Sequence, residues 1–173
     1  TGIQTCALPI WQVFLDLKFH DIPNTVAKAV EAAASHRVFM LTVHASGGSE
    51  MLAAAAQVKN RPLIVGVTVL TSVAGDVQAE VLRRAQTCHE AGIDGVVASP
   101  RELPALREKF GAKFTIVTPG IRPAWAEAGD QKRIMTPREA IVAGTSYIVV
   151  GRPILVASDR KAAAQRVIDE MNG

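Results

Sequence analysis

From Gln12 onward, short apolar runs rich in β-branched residues alternate with longer, Ala-rich stretches of helical spacing. QVFLDLK (12–18), VFMLTVHA (38–45), LIVGVTVLT (63–71), DGVVAS (94–99), KFTIVTP (113–119) and SYIVVG (146–151) have the length and composition of buried strands. Helical patterns fill 25–36, 49–59, 76–91, 101–110 and 137–143, and a last one follows at 159–171. Punctuation agrees with these limits: Asp76 is placed to cap a helix, Gly92 and Gly111 stand just past helix ends, and Thr136-Pro137 with Glu139 opens another. Strand and helix in strict alternation predict an α/β fold of parallel strands joined by crossover helices. No linker or low-complexity segment interrupts the series, so 12–173 reads as one domain.

Six β/α units suit either an open doubly wound sheet or part of a barrel. The polar residues discriminate. Asp16 and Lys18, His44 and Ser46, Thr71 and Ser72, Ser99, Thr118 and Gly120, and Gly151 and Arg152 all fall at C-terminal strand ends. A (β/α)8 barrel opens every such end on one shared site, whereas an open sheet gathers its ligand at one switch point. The expected architecture is therefore a TIM barrel of the (β/α)8 type, with about six units present.

Composition narrows the function classes. At 173 residues, 49% hydrophobic and 20% charged, the chain has ample core for one globular domain. The formal charge is only +3 and the basic residues are scattered, so no nucleic-acid footprint is expected. Cys6 and Cys88 have no metal-ligand spacing to each other or to the histidines, which argues against a disulfide framework or a zinc site. No apolar run reaches the roughly 20 residues of a membrane span, and TGIQTCALPI lacks the form of a signal peptide, so a cytoplasmic location is expected.

The chemistry begins in VFLDLKFHDIPNTV. On a strand, Asp16 and Lys18 share one face while Leu15 and Leu17 take the other. A D-x-K pair is by itself an ordinary structural salt bridge, but Asp21 just past the strand end adds a second carboxylate. A lysine between two carboxylates stays protonated and ordered, as a proton donor must be. At the other end of the chain, VTPGIRP (117–123) and VVGRPI (149–154) leave successive strands through glycine turns followed by an arginine. Each alone is an ordinary βα turn. Side by side they form an anion site, where barrels commonly hold phosphate after their last two strands. His44 reads as a satisfied core histidine, Trp11 and Trp125 as packing or loop residues, and Gly47-Gly48 as too weak for a phosphate loop.

Taken together, DLKFHDIPNT, TPGIRP and VGRPI resemble the orotidine 5′-phosphate decarboxylase family from about Gln12 to the C-terminus. D-x-K-x-x-D is shared with sister sugar-phosphate enzymes, whereas the extension HDIPNT is much more specific. The resemblance implies cofactor-free and metal-free decarboxylation of a nucleoside monophosphate, orotidine 5′-phosphate, to uridine 5′-phosphate. Lys18 would donate the proton to C6, Asp16 would sit against the substrate carboxylate, and Asp21 would reach the partner's site across a homodimer. Asn24, Thr25 and Thr71 would contact substrate, Thr71 at the pyrimidine. Gln131, Gly151 and Arg152 would hold the phosphate, with Arg122 beside them.

The chain also departs from the family. Residues 1–11 show no strand pattern, where the family places two β/α units bearing a ribose-binding aspartate and a second lysine. SVAGDVQAE is shorter than the family's loop and small helix after the third strand. The expectation is an N-terminally incomplete barrel with little decarboxylase activity. The alternatives are a sister decarboxylase or aldolase of sugar phosphates, which would require magnesium, and an inactive phosphate-binding fragment.

Overall fold

The computed structural model describes residues 12–69, 77–126 and 135–173. Its strands are β1 (Phe14–Phe19), β2 (Met40–His44), β3 (Leu63–Val67), β4 (Gly95–Val97), β5 (Thr115–Thr118) and β6 (Tyr147–Ile148). They form one parallel sheet in the order β1-β2-β3-β4-β5-β6. Each strand lies beside its predecessor, so every crossover winds the same way and there is no switch point, as in a barrel rather than a doubly wound sheet. Phe14 of β1 and Val149 just past β6 line the same hollow, so the sheet curls. Among the described residues β1 and β6 each pair on one side only.

The helices are α1 (Pro23–Ser35), α2 (Gly48–Ala56), α3 (Gln78–Glu90), α4 (Leu103–Phe110), α5 (Pro137–Val142), α6 (Arg152–Leu155) and α7 (Arg160–Asn172). Pro23 starts α1 because its ring presets the helical φ and it has no N–H to leave unpaired. Thr136 and Glu139 cap α5 reciprocally, and the Asp159 carboxylate accepts from the Ala162 N–H to open α7. Gly92 and Gly111 take positive φ past α3 and α4, as helix ends ask of glycine. The expected cap Asp76 lies outside the described residues.

Period-two alternation sorts the strand residues into two cores. Leu41, Val43, Ile64, Val96 and Ile116 face the helices, against Val26, Val30, Leu52, Val81, Leu103 and Leu106. Met40, Val65 and Val117, with Phe14, Leu63 and Val97, fill the concave face. Each fully buried aliphatic side chain contributes about 1.5–3 kcal/mol, so the helix layer fixes the curl of the sheet. Asp16 and Lys18 lie on the concave side, level with the C-terminal strand ends.

Candidate active site

The strand β1 is not regular where its charges sit. Its pairing with β2 runs Phe14↔Met40 and Leu15↔Leu41, then resumes only at Phe19↔Val43. Asp16, Leu17 and Lys18 therefore bulge opposite Thr42, and Lys18 takes a left-handed φ of 54°. For a lysine that conformation costs about 1–2 kcal/mol unless the surroundings hold it. Three contacts hold it here. The Lys18 N–H donates to Thr42 Oγ1 at 2.9 Å, Thr42 Oγ1 donates to Asp16 Oδ1 at 2.9 Å, and Lys18 Nζ donates to Asp16 Oδ2 at 2.7 Å. The bulge keeps Asp16 and Lys18 on one face, and Leu17 points away, 60% exposed.

Asp16 and Lys18 are the charged members of a hollow of about 190 Å³ whose other walls include Phe14, Val67, Val97, Val117, Pro119 and Val149. These come from β1, β3, β4 and β5 and from the chain just past β6. Its volume is below the ~300–1,000 Å³ of clefts that take a whole ligand, so it suits one ring of a larger molecule. Lys18 and Asp16 are 39% and 49% exposed at the mouth of this hollow, so solvent screens the pair until a bound ring covers it.

Asp21 is placed elsewhere. It is exposed on the turn between β1 and α1, where its carboxylate accepts from the Ile22 N–H at 2.7 Å. It lines a second, shallower hollow with His20, Ile22, Pro23, Ser46, Gly47, Glu50 and Met51. Asn24 and Thr25 are exposed on the first turn of α1. His44, at the end of β2, packs against His20 of this second hollow at 5.2 Å between ring centroids. Its pKa is lowered from 6.5, first by burial, then by the charges of His20, Lys18 and Arg84, with Asp16 opposing.

At the other side of the mouth, Gly120 has a φ of 78°, the turn that TPGIRP required. Arg122 is buried, its Nη1 donating to the Ile121 carbonyl at 2.9 Å, and Ile121 bridges Met135. The same loop is clasped from α7, where Arg166 stacks 4.3 Å from the centre of the Trp125 ring and Glu170 accepts from the Ala124 N–H. Gly151 caps α6, and a Cβ there would meet open space, so the backbone is approachable from the mouth. Arg152 is exposed at the first position of α6. Thr71 and Gln131 lie outside the described residues. The bulge thus brings Asp16 and Lys18 together in one hollow, Gly151 and Arg152 follow the last strand beside it, and Asp21, Asn24 and Thr25 face away.

Thr42 was not among the residues singled out from the sequence. The signal for it was the one hydroxyl in the apolar run VFMLTVHA, two positions before His44 and hence on the same face. Among the described residues, no group of three or more His, Cys, Asp or Glu side chains could hold a metal ion.

With this geometry in view, residues 8–167 match the model of the orotidine 5'-phosphate decarboxylase / HUMPS family. The chain belongs to this family. It is similar to the orotidine 5'-phosphate decarboxylase of Vibrio cholerae serotype O1, 50% identical over 94% of this chain and 75% of that one. The enzyme of the same name from Moorella thermoacetica is 52% identical over 92% of this chain and 71% of its own length. The crystal structure of orotidine 5'-phosphate decarboxylase from Lactobacillus acidophilus superposes with a TM-score of 0.83 at 39% identity, covering 96% of this chain and 78% of that one. Membership fits the singly wound sheet and the placement of the DLK pair at a strand end.

Proposed function

We propose that this family member decarboxylates orotidine 5′-phosphate to uridine 5′-phosphate in pyrimidine synthesis, with Lys18 as the proton donor. The observation that carries the reading is the Lys18–Asp16 pair, held at 2.7 Å in an apolar hollow at the strand ends. Loss of carbon dioxide leaves an electron pair at C6, which the ring delocalises poorly. An ammonium fixed beside that carbon stabilises the developing charge and then delivers its proton, so atoms and charge balance without a cofactor. In this reading Asp16 faces the leaving carboxylate, and its Oδ2, 2.7 Å from Lys18 Nζ, holds the ammonium in place. Gly151, Arg152 and Gln131 grip the phosphate, with Arg122 buried under the adjoining turn. Thr71 meets the pyrimidine, and binding energy from the remote phosphate is spent at the transition state. Asp21, Asn24 and Thr25 serve a second copy's site in a cytoplasmic homodimer.

The test is loss of substrate absorbance by purified protein. Lys18→Ala should abolish turnover while leaving uridine 5′-phosphate binding, and Arg152→Ala should weaken that binding by about tenfold or more, as loss of a charge-assisted phosphate contact does. Turnover of a sugar phosphate instead, abolished by a chelator, would replace this reading with the sister chemistry. Nucleotide binding without turnover would reduce the chain to a binding protein.

A further inference from the structure

One buried hydroxyl sets the posture of both charged groups. A threonine hydroxyl has one proton to give and lone pairs to accept with. In Thr42 the proton goes to Asp16 Oδ1 and a lone pair takes the Lys18 N–H, each at 2.9 Å. Asp16 Oδ2 then receives Lys18 Nζ at 2.7 Å, so the chain of contacts leaves the Lys18 backbone and returns to the Lys18 ammonium. Thr42 is fully buried between Leu41 and Val43, so water has no access to substitute for it. Elsewhere along β1 and β2 the ladder is backbone to backbone, but across the bulge the side chain of Thr42 takes the place of a carbonyl acceptor.

We infer that Thr42 is a positioning residue for the proton donor, holding the left-handed Lys18 backbone and the Asp16 carboxylate in one geometry. The inference rests on the decarboxylase reading for its kinetic consequence, and on contacts alone for its structural one. The side-chain hydrogen bonds of Thr42 go to Lys18 and Asp16, so its effect is expected on the chemical step and not on the phosphate grip. Thr42→Val keeps the shape and removes both bonds, whereas Thr42→Ser keeps the hydroxyl and removes a methyl.

Two measurements on the purified chain decide it. By amide hydrogen exchange, the Lys18 N–H should exchange at least about tenfold faster in Thr42→Val than in the parent, with Thr42→Ser close to the parent and the core amides of β3 and β4 unchanged in all three. In turnover of orotidine 5′-phosphate, Thr42→Val should lose about 10–100-fold in kcat with KM within about twofold, and Thr42→Ser should recover most of it, because misplacement by an ångström costs that much in a fixed geometry. Unchanged Lys18 exchange in Thr42→Val overturns the inference, whatever the activity. So does a Thr42→Ser variant as impaired as Thr42→Val, which would make the methyl the operative group. If the parent has no measurable turnover, as the sequence departures from the family lead one to expect, the exchange arm alone judges Thr42.

Discussion

Lys18 carries its ammonium on a left-handed backbone, with the Thr42 hydroxyl bonded to its N–H and the Asp16 carboxylate to its Nζ. Alternation correctly set Asp16 and Lys18 on one face, because side chains on a strand alternate whatever the identity of the neighbours. It could not foresee the bulge, since a φ of 54° at a lysine is imposed by Thr42 from 24 residues away and leaves no local signature. Gly66 was equally silent: a Cβ there would lie 2.4 Å from Cys88 Sγ, a close approach decided by packing. His44, expected to be a satisfied core histidine, is half-buried against His20 and has a directional consequence. Its folded pKa is below the 6.5 of the unfolded chain. As pH falls through 6.5 the unfolded chain takes up the proton first, so this group's stability is fully present above 6.5 and is lost as pH falls through the lower, folded value. Urea midpoints at pH 7.5 and pH 5 should therefore fall less for His44→Gln than for the parent. An identical fall in both would remove His44 from the acid response.

At the level of elements, existence and order were legible and the C-terminal ends were not. The apolar run LIVGVTVLT continues to Thr71, but β3 leaves the ladder at Val67, and β6 keeps only Tyr147–Ile148 of SYIVVG. Single cross-strand bonds continue just past both ends, from the Thr68 N–H to Val97 O and from the Val149 N–H to Thr118 O, while the residues remain as apolar as the strand. VGRPI reads as a turn, yet Arg152–Leu155 closes into the short helix α6 behind Gly151. The opposite ends of the strands are stapled. Arg61 donates to the carbonyls of Ala56, Pro62 and Gly92 and pairs with Asp94, whose Oδ2 accepts from the Ile64 N–H at 2.7 Å. Removing the guanidinium strands a half-buried carboxylate and several carbonyls. Arg61→Ala should therefore cost about 2–3 kcal/mol of stability, and Arg61→Lys should rescue little because an ammonium lacks the fork. Because the staple is remote from Lys18, kcat per folded molecule should stay at the parent value. A urea midpoint within experimental scatter of the parent would show that the network is replaceable by water.

On the scale of the whole molecule, the sequence carried the winding of the sheet, because six strand ends with polar residues imply a common mouth. It could not say which of those residues share a mouth within one chain. Asp21 illustrates the point: it is three residues from Lys18 in sequence, yet it opens onto a separate hollow, beside an Ile22 that is 66% exposed. Under the proposal that Asp21 serves a second copy's site, a two-fold pair of chains presents each Asp21 to its partner. The consequence can be tested by mixing two defective chains. Lys18→Ala lacks the proton donor and Asp21→Asn lacks the second carboxylate, so each alone should be severely impaired. When the two are coexpressed with different tags and the mixed pairs isolated, one of the two sites in each pair has Lys18 and Asp21 both intact and the other has neither. Roughly half of parental turnover per pair should return, set by the symmetry of a shared interface. Were Asp21 to act within its own chain, every site in the mixed pair would carry one defect, and turnover would be no greater than the average of the two variants measured separately.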